Sequence, residues 1–358
     1  MRIVCAMSGG VDSSIAAALM VEAGHDVVGM TMALYDASAS ERKGRGGTCC
    51  SPAEIDLARW VCERLGIPHY TVDERERFQA EVIDDFVREY AAGRTPNPCT
   101  RCNEHVKFGP LLARARALGA ERLVTGHYAR IENHELLRAS DPNKDQSYFL
   151  FAMGRAALEH VEFPLGVWSK DLVRAKARAL GMPNADAPDS QELCFVPGGD
   201  HGEVVEARAA ALGLDMARFA AGELVDVEGK VVGEHRGIHR LTIGQRRGLA
   251  VSGEKPKYVL KVLPEQRRAI VGDVEDLGVR ELVVEDFRRM VELGERESIA
   301  AGVQVRHRGK PAAARIDLEG SVARVSFVEP VRAVAPGQAA VVYAGERLLG
   351  GGWIREAR

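Results

Sequence analysis

The chain has 358 residues, room for two or three domains, with 46% hydrophobic and 28% charged residues and a formal net charge of −3. That balance is ordinary for a soluble globular protein, and it excludes a fibrous, disordered or strongly basic chain. No run of about 18 apolar residues occurs, so no membrane span is expected. The N-terminus enters a strand at once, without the basic region and apolar core of a signal peptide, so the expected location is the cytoplasm. Seven cysteines in a reducing compartment point to catalysis, metal binding or burial rather than to structural disulfides.

In chain order, the first half alternates strand and helix. Strands are predicted at Ile3–Met7, Asp26–Leu34, Pro68–Val72 and Arg122–Tyr128, and helices at Ser13–Ala23, Pro52–Leu65, Phe78–Ala92 and Phe108–Leu118. Gly24, Gly66 and Gly119 stand just past helix ends, as C-cap glycines do. The alternation predicts an α/β domain with a doubly wound parallel sheet. Glu41–Gly47 is a charged, Gly-rich loop, and a further helix is expected over Lys170–Leu180. Gly198–Gly202 marks the expected end of this domain. From about Leu224 the pattern changes to short alternating strands, with hairpin signals at Glu228-Gly229 and Glu319-Gly320. Two small β-rich modules are expected, split near Asp273–Gly278. The boundaries drawn from this are 1–202, 203–275 and 276–358.

The most telling stretch is Ser8-Gly9-Gly10-Val11-Asp12-Ser13-Ser14, between the first strand and the first helix. Glycines let a backbone approach an anion closely, and the amides and dipole of a helix N-terminus favour negative charge. Neither G-x-x-x-x-G-K-[ST] nor G-x-G-x-x-G is present. The SGG-x-DSS form resembles the pyrophosphate-binding loop of ATP pyrophosphatases. The plainer alternative is a Ser/Gly turn that caps a helix.

Thr95–Asn103 (TPNPCTRCN) reads as a proline-stiffened loop between two helices. It sets Cys99 and Cys102 at C-x-x-C spacing, which suits half a zinc site, a redox pair or two buried thiols. Cys49-Cys50 could complete a zinc site, although adjacent cysteines chelate one ion poorly. Cys194, in Asp189–Phe195 (DSQELCF), reads alone as a small buried hydrophobe; beside the other two motifs it becomes a candidate sulfur carrier. Cys5 and Cys62 are expected to pack in the core. Gly126-His127-Tyr128 ends the fourth strand, and His127 is either a phosphate contact or a structural histidine. Lys144 and Gln146 lie in a polar loop before an apolar helix. From Ala301 onward nine Lys/Arg face five Asp/Glu, and Arg236–Arg247 adds four arginines. Such basic patches suit a polyanion, or are ordinary solvated strand faces.

Taken in order, SGGVDSS (8–14), AGRTPNP (92–98) with CN (102–103), TGHY (125–128), NKDQSYFL (143–150), the segment around Cys194, LTIGQRRGL (241–249) and PGQAAV (336–341) resemble the tRNA-specific 2-thiouridylases over nearly the whole chain. The resemblance implies an N-terminal ATP-pyrophosphatase domain, a small central domain and a C-terminal β-barrel that grips tRNA. It implies ATP contacts at Ala6, Met7, Ser8, Gly9, Gly10, Val11, Asp12, Ser13, Met32 and Gly126, with Mg²⁺. It implies tRNA contacts at Asn97, Pro98, Cys99, His127, Lys144, Asp145, Gln146, Arg306, His307 and Gln338. Cys102, Cys194 and Cys99 would be catalytic, with Cys194 receiving sulfur from a donor protein. Many members carry Asp where this chain has Cys99. With a thiol there, Cys99, Cys102 and Cys194 become possible ligands of a [4Fe–4S] cluster that leaves one iron open. Two other activities fit parts of the pattern. One is a pyrophosphatase-type ligase that uses nitrogen and needs no cysteine; the other is a nucleotide-sensing RNA-binding protein that does not turn over.

Overall fold

The structure is a computed structural model and describes residues 1–35, 52–189, 193–196, 199–249, 251, 255–293 and 298–358. The Glu41–Gly47 loop, Cys49, Cys50 and residues 190–192 lie outside the described residues. The described elements run, in chain order, β1 Arg2–Ala6, α1 Val11–Glu22, β2 Asp26–Ala33, α2 Pro52–Leu65, β3 His69–Asp73, α3 Arg75–Phe78, α4 Asp84–Ala91, α5 Pro98–Cys102, α6 Leu112–Ala117 and β4 Arg122–Val124. There follow β5 Arg130–Glu132, β6 Glu135–Leu137, β7 Val161–Glu162, α7 Lys170–Ala179, α8 His201–Ala211, β8 Gly222–Val225, β9 Val231–His235, β10 Tyr258–Leu263 and β11 Arg268–Gly272. The last six strands are β12 Gly278–Arg289, β13 Ser298–Gln304, β14 Ala312–Glu319, β15 Val322–Arg332, β16 Ala339–Ala344 and β17 Arg347–Ala357. They divide into two compact units. The first comprises Met1–Val82, Cys99–Gly199 and Glu346–Leu348; the second comprises Ile83–Pro98, Asp200–Gly345 and Leu349–Arg358.

In the first unit five strands form a parallel sheet in the order β3-β2-β1-β4-β7. β1 reads IVC and is buried, as a parallel strand covered on both faces must be. Ile3, Ile15, Val61, Val124, Leu165 and Val173 join strands and helices in one core. The strand order reverses at β1, whose two neighbours are β2 and β4. In open α/β sheets the crevice beyond the carboxyl ends at that reversal is where ligands bind. Here it lies between the ends of β1 and β4, which lead into Ser8–Ser14 and Thr125–Tyr128.

The second unit holds a four-stranded sheet, β10-β11-β8-β9, and a six-stranded barrel, β12-β15-β14-β13-β16-β17, closed by β12 against β17. Alternation of buried and more exposed residues along β14 and the first half of β15 sends Ile316, Leu318, Val325 and Phe327 inward. The hairpins expected at Glu228-Gly229 and Glu319-Gly320 are present, with Gly229 and Gly320 at positive φ.

Three local expectations are corrected. Cys99 and Cys102 do not sit in a loop: Pro98 opens α5, and the chain stays helical through a π-helix over Asn103–Leu111 into α6. Proline's fixed φ and missing N–H suit a first helical position, and the wider π-turn accommodates Pro110. The strand expected to reach Tyr128 stops at Val124. The helix α8, absent from the sequence reading, starts at the N-cap Asp200, whose carboxylate accepts from Gly202 N at 2.9 Å.

Candidate active site

At the end of β1, Gly9 takes φ +76°, and a Cβ there would lie 2.6 Å from the Glu54 carbonyl oxygen. Only glycine fits. Ser8 N donates to Ser13 Oγ (3.1 Å), while the Ser13 and Ser14 hydroxyls both donate to the Gly10 carbonyl (3.0 Å each). The turn is thus tied to the first turn of α1. Gly10, the N-cap residue, has no side chain with which to cap the first amides of α1, the arrangement that takes an anion. Asn184, buried, braces the turn from below: its amide donates to Gly9 O (2.8 Å) and Ser14 Oγ (3.1 Å). Gly126 closes on the same loop; a Cβ there would meet Ser13 N at 2.7 Å. Ala6, Met7 and Val11 flank the turn, with Met7 N bonded to Met30 O (2.8 Å), and Met32 lies buried in β2.

Charge gathers beside this turn. Lys170, only 9% exposed, donates to both oxygens of Asp12 (2.8 Å each) and pairs with Asp189 (2.8 Å). Tyr128 Oη donates to Asp12 at 2.7 Å. Burial first, then the Asp12 carboxylate, raises the Tyr128 phenol, so it stays protonated as a donor. Lys144 pairs with Asp189, and Arg174 approaches it at 3.5 Å. Burial pushes the Asp189 carboxyl up, but hydrogen bonds from Lys144 and Lys170 outweigh it and hold the group at about 2. Two cations, Lys170 and Lys144, and two carboxylates, Asp12 and Asp189, are therefore linked beside the N-terminus of α1.

The other predicted residues divide. Cys102 is buried and Cys99 exposed on α5; Cys194 is half-buried in a turn whose Phe195 packs edge-on against Phe78. Among the described residues no group of three or more His, Cys, Asp or Glu side chains is gathered to hold a metal ion. The set Cys99, Cys102 and Cys194 is thus not assembled as cluster ligands. Asn103 donates to Phe149 O (3.0 Å), tying the helix of Cys102 to the Ser147–Phe149 turn. Cys5 and Cys62 are core thiols; burial raises both, Cys62 to about 12. His127 is hydrogen-bonded to Thr125 Oγ1 (2.7 Å) between the rings of Phe108 and Phe163. Burial, then Lys107, lowers its pKa well below the ordinary value, so its imidazole is neutral. Asp145 is internal: it accepts from Arg138 Nη1 (2.8 Å), Ala139 N (3.1 Å) and Ser147 N (3.1 Å). Gln146 Oε1 accepts from Tyr128 N at 2.9 Å. In the second unit Asn97 and Pro98 are buried. Arg306 is exposed and His307 half-buried in a turn whose carbonyls accept from the buried Gln304 amide (3.1 and 3.0 Å). Gln338 donates to the carbonyls of Thr95 and Pro96.

Sequence reasoning missed Lys170 and Asn184. A signal for Lys170 was present: a cation at the first position of a helix opposes the dipole, so it needs carboxylate partners. Asn184 carried no such mark.

Site and sheet define a nucleotide-binding α/β domain of the kind that holds phosphate at a topological switch point, joined to two β modules. Residues 1–198 match the family model described as the tRNA methyl transferase HUP domain, 215–273 the tRNA methyl transferase PRC-barrel domain, and 279–354 the aminomethyltransferase beta-barrel domain. The tRNA-specific 2-thiouridylase MnmA of Geobacter metallireducens is 47% identical over 364 residues, covering 99% of this chain and 97% of its own length. Those of Zymomonas mobilis subsp. mobilis (99% of this chain, 93% of its own) and Acidithiobacillus ferrooxidans (99% and 98%) are each 46% identical. The chain belongs to the tRNA-specific 2-thiouridylase family.

Proposed function

We propose that this chain replaces the 2-oxo group of a wobble uridine in tRNA by sulfur, at the expense of ATP. The observation that carries the reading is the hydrogen-bonded SGGVDSS turn at the sheet's switch point, in a chain whose full-length relatives bear the 2-thiouridylase name. The family descriptions speak of methyl transfer, but a loop shaped for pyrophosphate and a helix bearing two cysteines suit activation by ATP followed by sulfur attack. The division taken is 1–202 catalytic, 203–275 central and 276–358 tRNA-binding.

A uracil carbonyl is a poor leaving group. Its O2 attacks the α-phosphorus of ATP, the α–β bond breaks, and pyrophosphate departs into the Ser8–Ser14 turn. Lys170, bonded to Asp12 of that turn, and Lys144, which shares Asp189 with it, supply positive charge there, and the α1 dipole adds to them. Mg²⁺, a hard cation, would be held by Asp12 and Asp189 and would neutralise phosphate charge. The uridine must leave its stack to react. Asn97, Pro98 and Cys99 are assigned to its pocket, and Lys144, Gln146, Arg306 and His307 to tRNA. Sulfur arrives as a persulfide on Cys194 from a sulfur-donor protein. The terminal sulfur attacks C2, AMP leaves with the original oxygen, and a Cys194–S–S–C2 link results. The Cys102 thiolate attacks the Cys194 sulfur; 2-thiouridine leaves, and the Cys102–Cys194 disulfide is then reduced by an external thiol. No step is assigned to an iron–sulfur cluster.

The test supplies ATP, Mg²⁺, tRNA and a persulfide donor and reads 2-thiouridine by mass spectrometry beside pyrophosphate. Cys194→Ser is expected to abolish thiolation while tRNA-dependent pyrophosphate release persists. Pyrophosphate release without 2-thiouridine in wild type, undiminished in both Cys102→Ser and Cys194→Ser, would favour the nitrogen-using ligase; ATP binding without pyrophosphate release would favour the sensor.

A further inference from the structure

The peptide between Gly9 and Gly10 has a glycine at each end. No Cβ opposes its rotation, so sterics alone do not decide which way it faces. In a trans peptide the C=O and the N–H point in opposite directions, so aiming one aims the other. Hydrogen bonds make the choice. Gly9 O accepts from the Asn184 amide nitrogen at 2.8 Å, and the N–H across that peptide, on Gly10, donates to Ser8 Oγ at 3.4 Å. The next peptide is fixed in the same way. Gly10 O accepts from Ser13 Oγ and Ser14 Oγ at 3.0 Å each and from Ser14 N at 3.2 Å, so the Val11 N–H points away from these groups.

Asn184 acts on both carbonyls. Its second N–H goes to Ser14 Oγ at 3.1 Å; accepting there, the hydroxyl turns its one hydrogen to Gly10 O. The amide oxygen of Asn184 is buried with no hydrogen-bond partner among the described residues, so the side chain contributes through its donors. Those donors stand on a tied turn within the same unit. Met182 N is bonded to Ala177 O (2.9 Å), Ala185 N to Met182 O (3.2 Å) and Ala187 N to Asn184 O (3.2 Å). Met182 and Ala185 are buried in one core with Ile15 and Ala18 of α1.

We infer that Asn184 is a positioning residue for phosphate: it holds the Gly9 and Gly10 carbonyls away from the anion and thereby turns the Gly10 and Val11 N–H groups toward it. That phosphate occupies this turn rests on the proposed function; the bonds that orient the two peptides do not. Leucine has nearly the shape of asparagine and no donor; alanine has neither the shape nor the donor. With either, Gly9 O loses its partner, the peptide between the glycines is free to turn, and a carbonyl dipole opposes the phosphate where an N–H had met it.

The experiment compares wild type with Asn184→Leu and Asn184→Ala in the full chain. Binding of ATP, inorganic pyrophosphate, adenosine and tRNA is measured, with hydrogen–deuterium exchange read in ligand-free peptides spanning 7–15 and in barrel peptides. The Kd for ATP and for pyrophosphate is expected to rise about tenfold or more in both variants, as loss of donors to an anion implies. Adenosine, which carries no phosphate, and tRNA should keep their Kd within about twofold. Exchange in 7–15 should rise about fivefold or more, because Ser14 N loses a fixed acceptor, with the barrel peptides unchanged. Unchanged affinity for ATP and pyrophosphate in both variants overturns the inference. Adenosine binding weakened as much as ATP binding would mean general loosening of the domain and overturns it too. Weakened anion binding with unchanged exchange in 7–15 overturns peptide orientation as the cause. Wild type that binds neither ATP nor pyrophosphate would instead defeat the proposed function, and the exchange result would still decide the orientation. Loss of folding in one variant leaves the other to decide.

Discussion

At the scale of single residues, the site is a set of shared charge partners. Lys170 bridges Asp12 and Asp189, and Lys144 shares Asp189. A carboxyl held at about 2 in the fold, against about 3.9 in an unfolded chain, contributes stability that is fully present above the unfolded value. That contribution is lost as pH falls through the folded value, so the chain's stability should decline between about pH 4 and pH 2 from this group. Lys170→Met removes one of the two ammonium partners and leaves Asp12 and Asp189 facing each other. The Asp189 carboxyl should then titrate higher, and the acid decline should begin at higher pH. Urea midpoints measured from pH 7 down to pH 2 check it: identical acid limbs in wild type and Lys170→Met would show that Lys170 does not hold Asp189. The same variant should bind ATP more weakly, since the nearest buried cation of the phosphate turn is gone; equilibrium dialysis with ATP reads that separately.

At the scale of elements, α7 matters because its first residue is Lys170. Ser169 caps it, accepting from Leu172 N at 3.3 Å. Ser169→Ala should lower stability by about 1 kcal/mol, the usual worth of an N-cap hydroxyl. It should also weaken ATP binding, because the fraying turn carries the ammonium; a thermal shift with no change in ATP affinity would separate the cap from the site. Elements are also where the sequence was readable and where it was not. The alternation of buried strands and helices in 1–128, and the glycines at Gly24, Gly66 and Gly119 with positive φ, mark local physics that needs no tertiary context. The SGGVDSS turn was legible for the same reason: its chemistry lies in consecutive residues. The start of α5 was hidden because Pro96 and Pro98 suggest a loop, yet proline at a first helical position is equally at home. The early end of β4 was hidden because Gly126 leaves the sheet to meet α1, a contact that no periodicity records. Lys170, Asn184 and Gln338 lie 150 or more positions from their partners, so only the fold displays them.

At the scale of the whole molecule, the net charge is −3 although the last 58 residues carry nine cations against five anions. A polyanion partner would meet the localised patch rather than the average. Within that patch the cations are not equivalent. Arg315 is tied to Asp317 at 3.0 Å, and Arg324 faces Glu319 at 3.7 Å. Arg306 stands exposed in a turn whose carbonyls the buried Gln304 amide holds in place. A cation already beside a carboxylate gains little from a phosphate, because it loses one partner to acquire another. Arg306, on a braced turn, is presented at little further cost in order. If the barrel binds tRNA as proposed, Arg306→Ala should weaken binding to all substrate tRNAs and reduce the slope of log K against log salt by about one unit or less. Arg315→Ala should change neither quantity appreciably. Titrations of tRNA across a series of salt concentrations, with both variants in parallel, make the comparison internal. Equal losses in the two variants would mean that diffuse charge, not the turn, attracts the tRNA. No change in either slope or affinity for Arg306→Ala would place the tRNA on another surface.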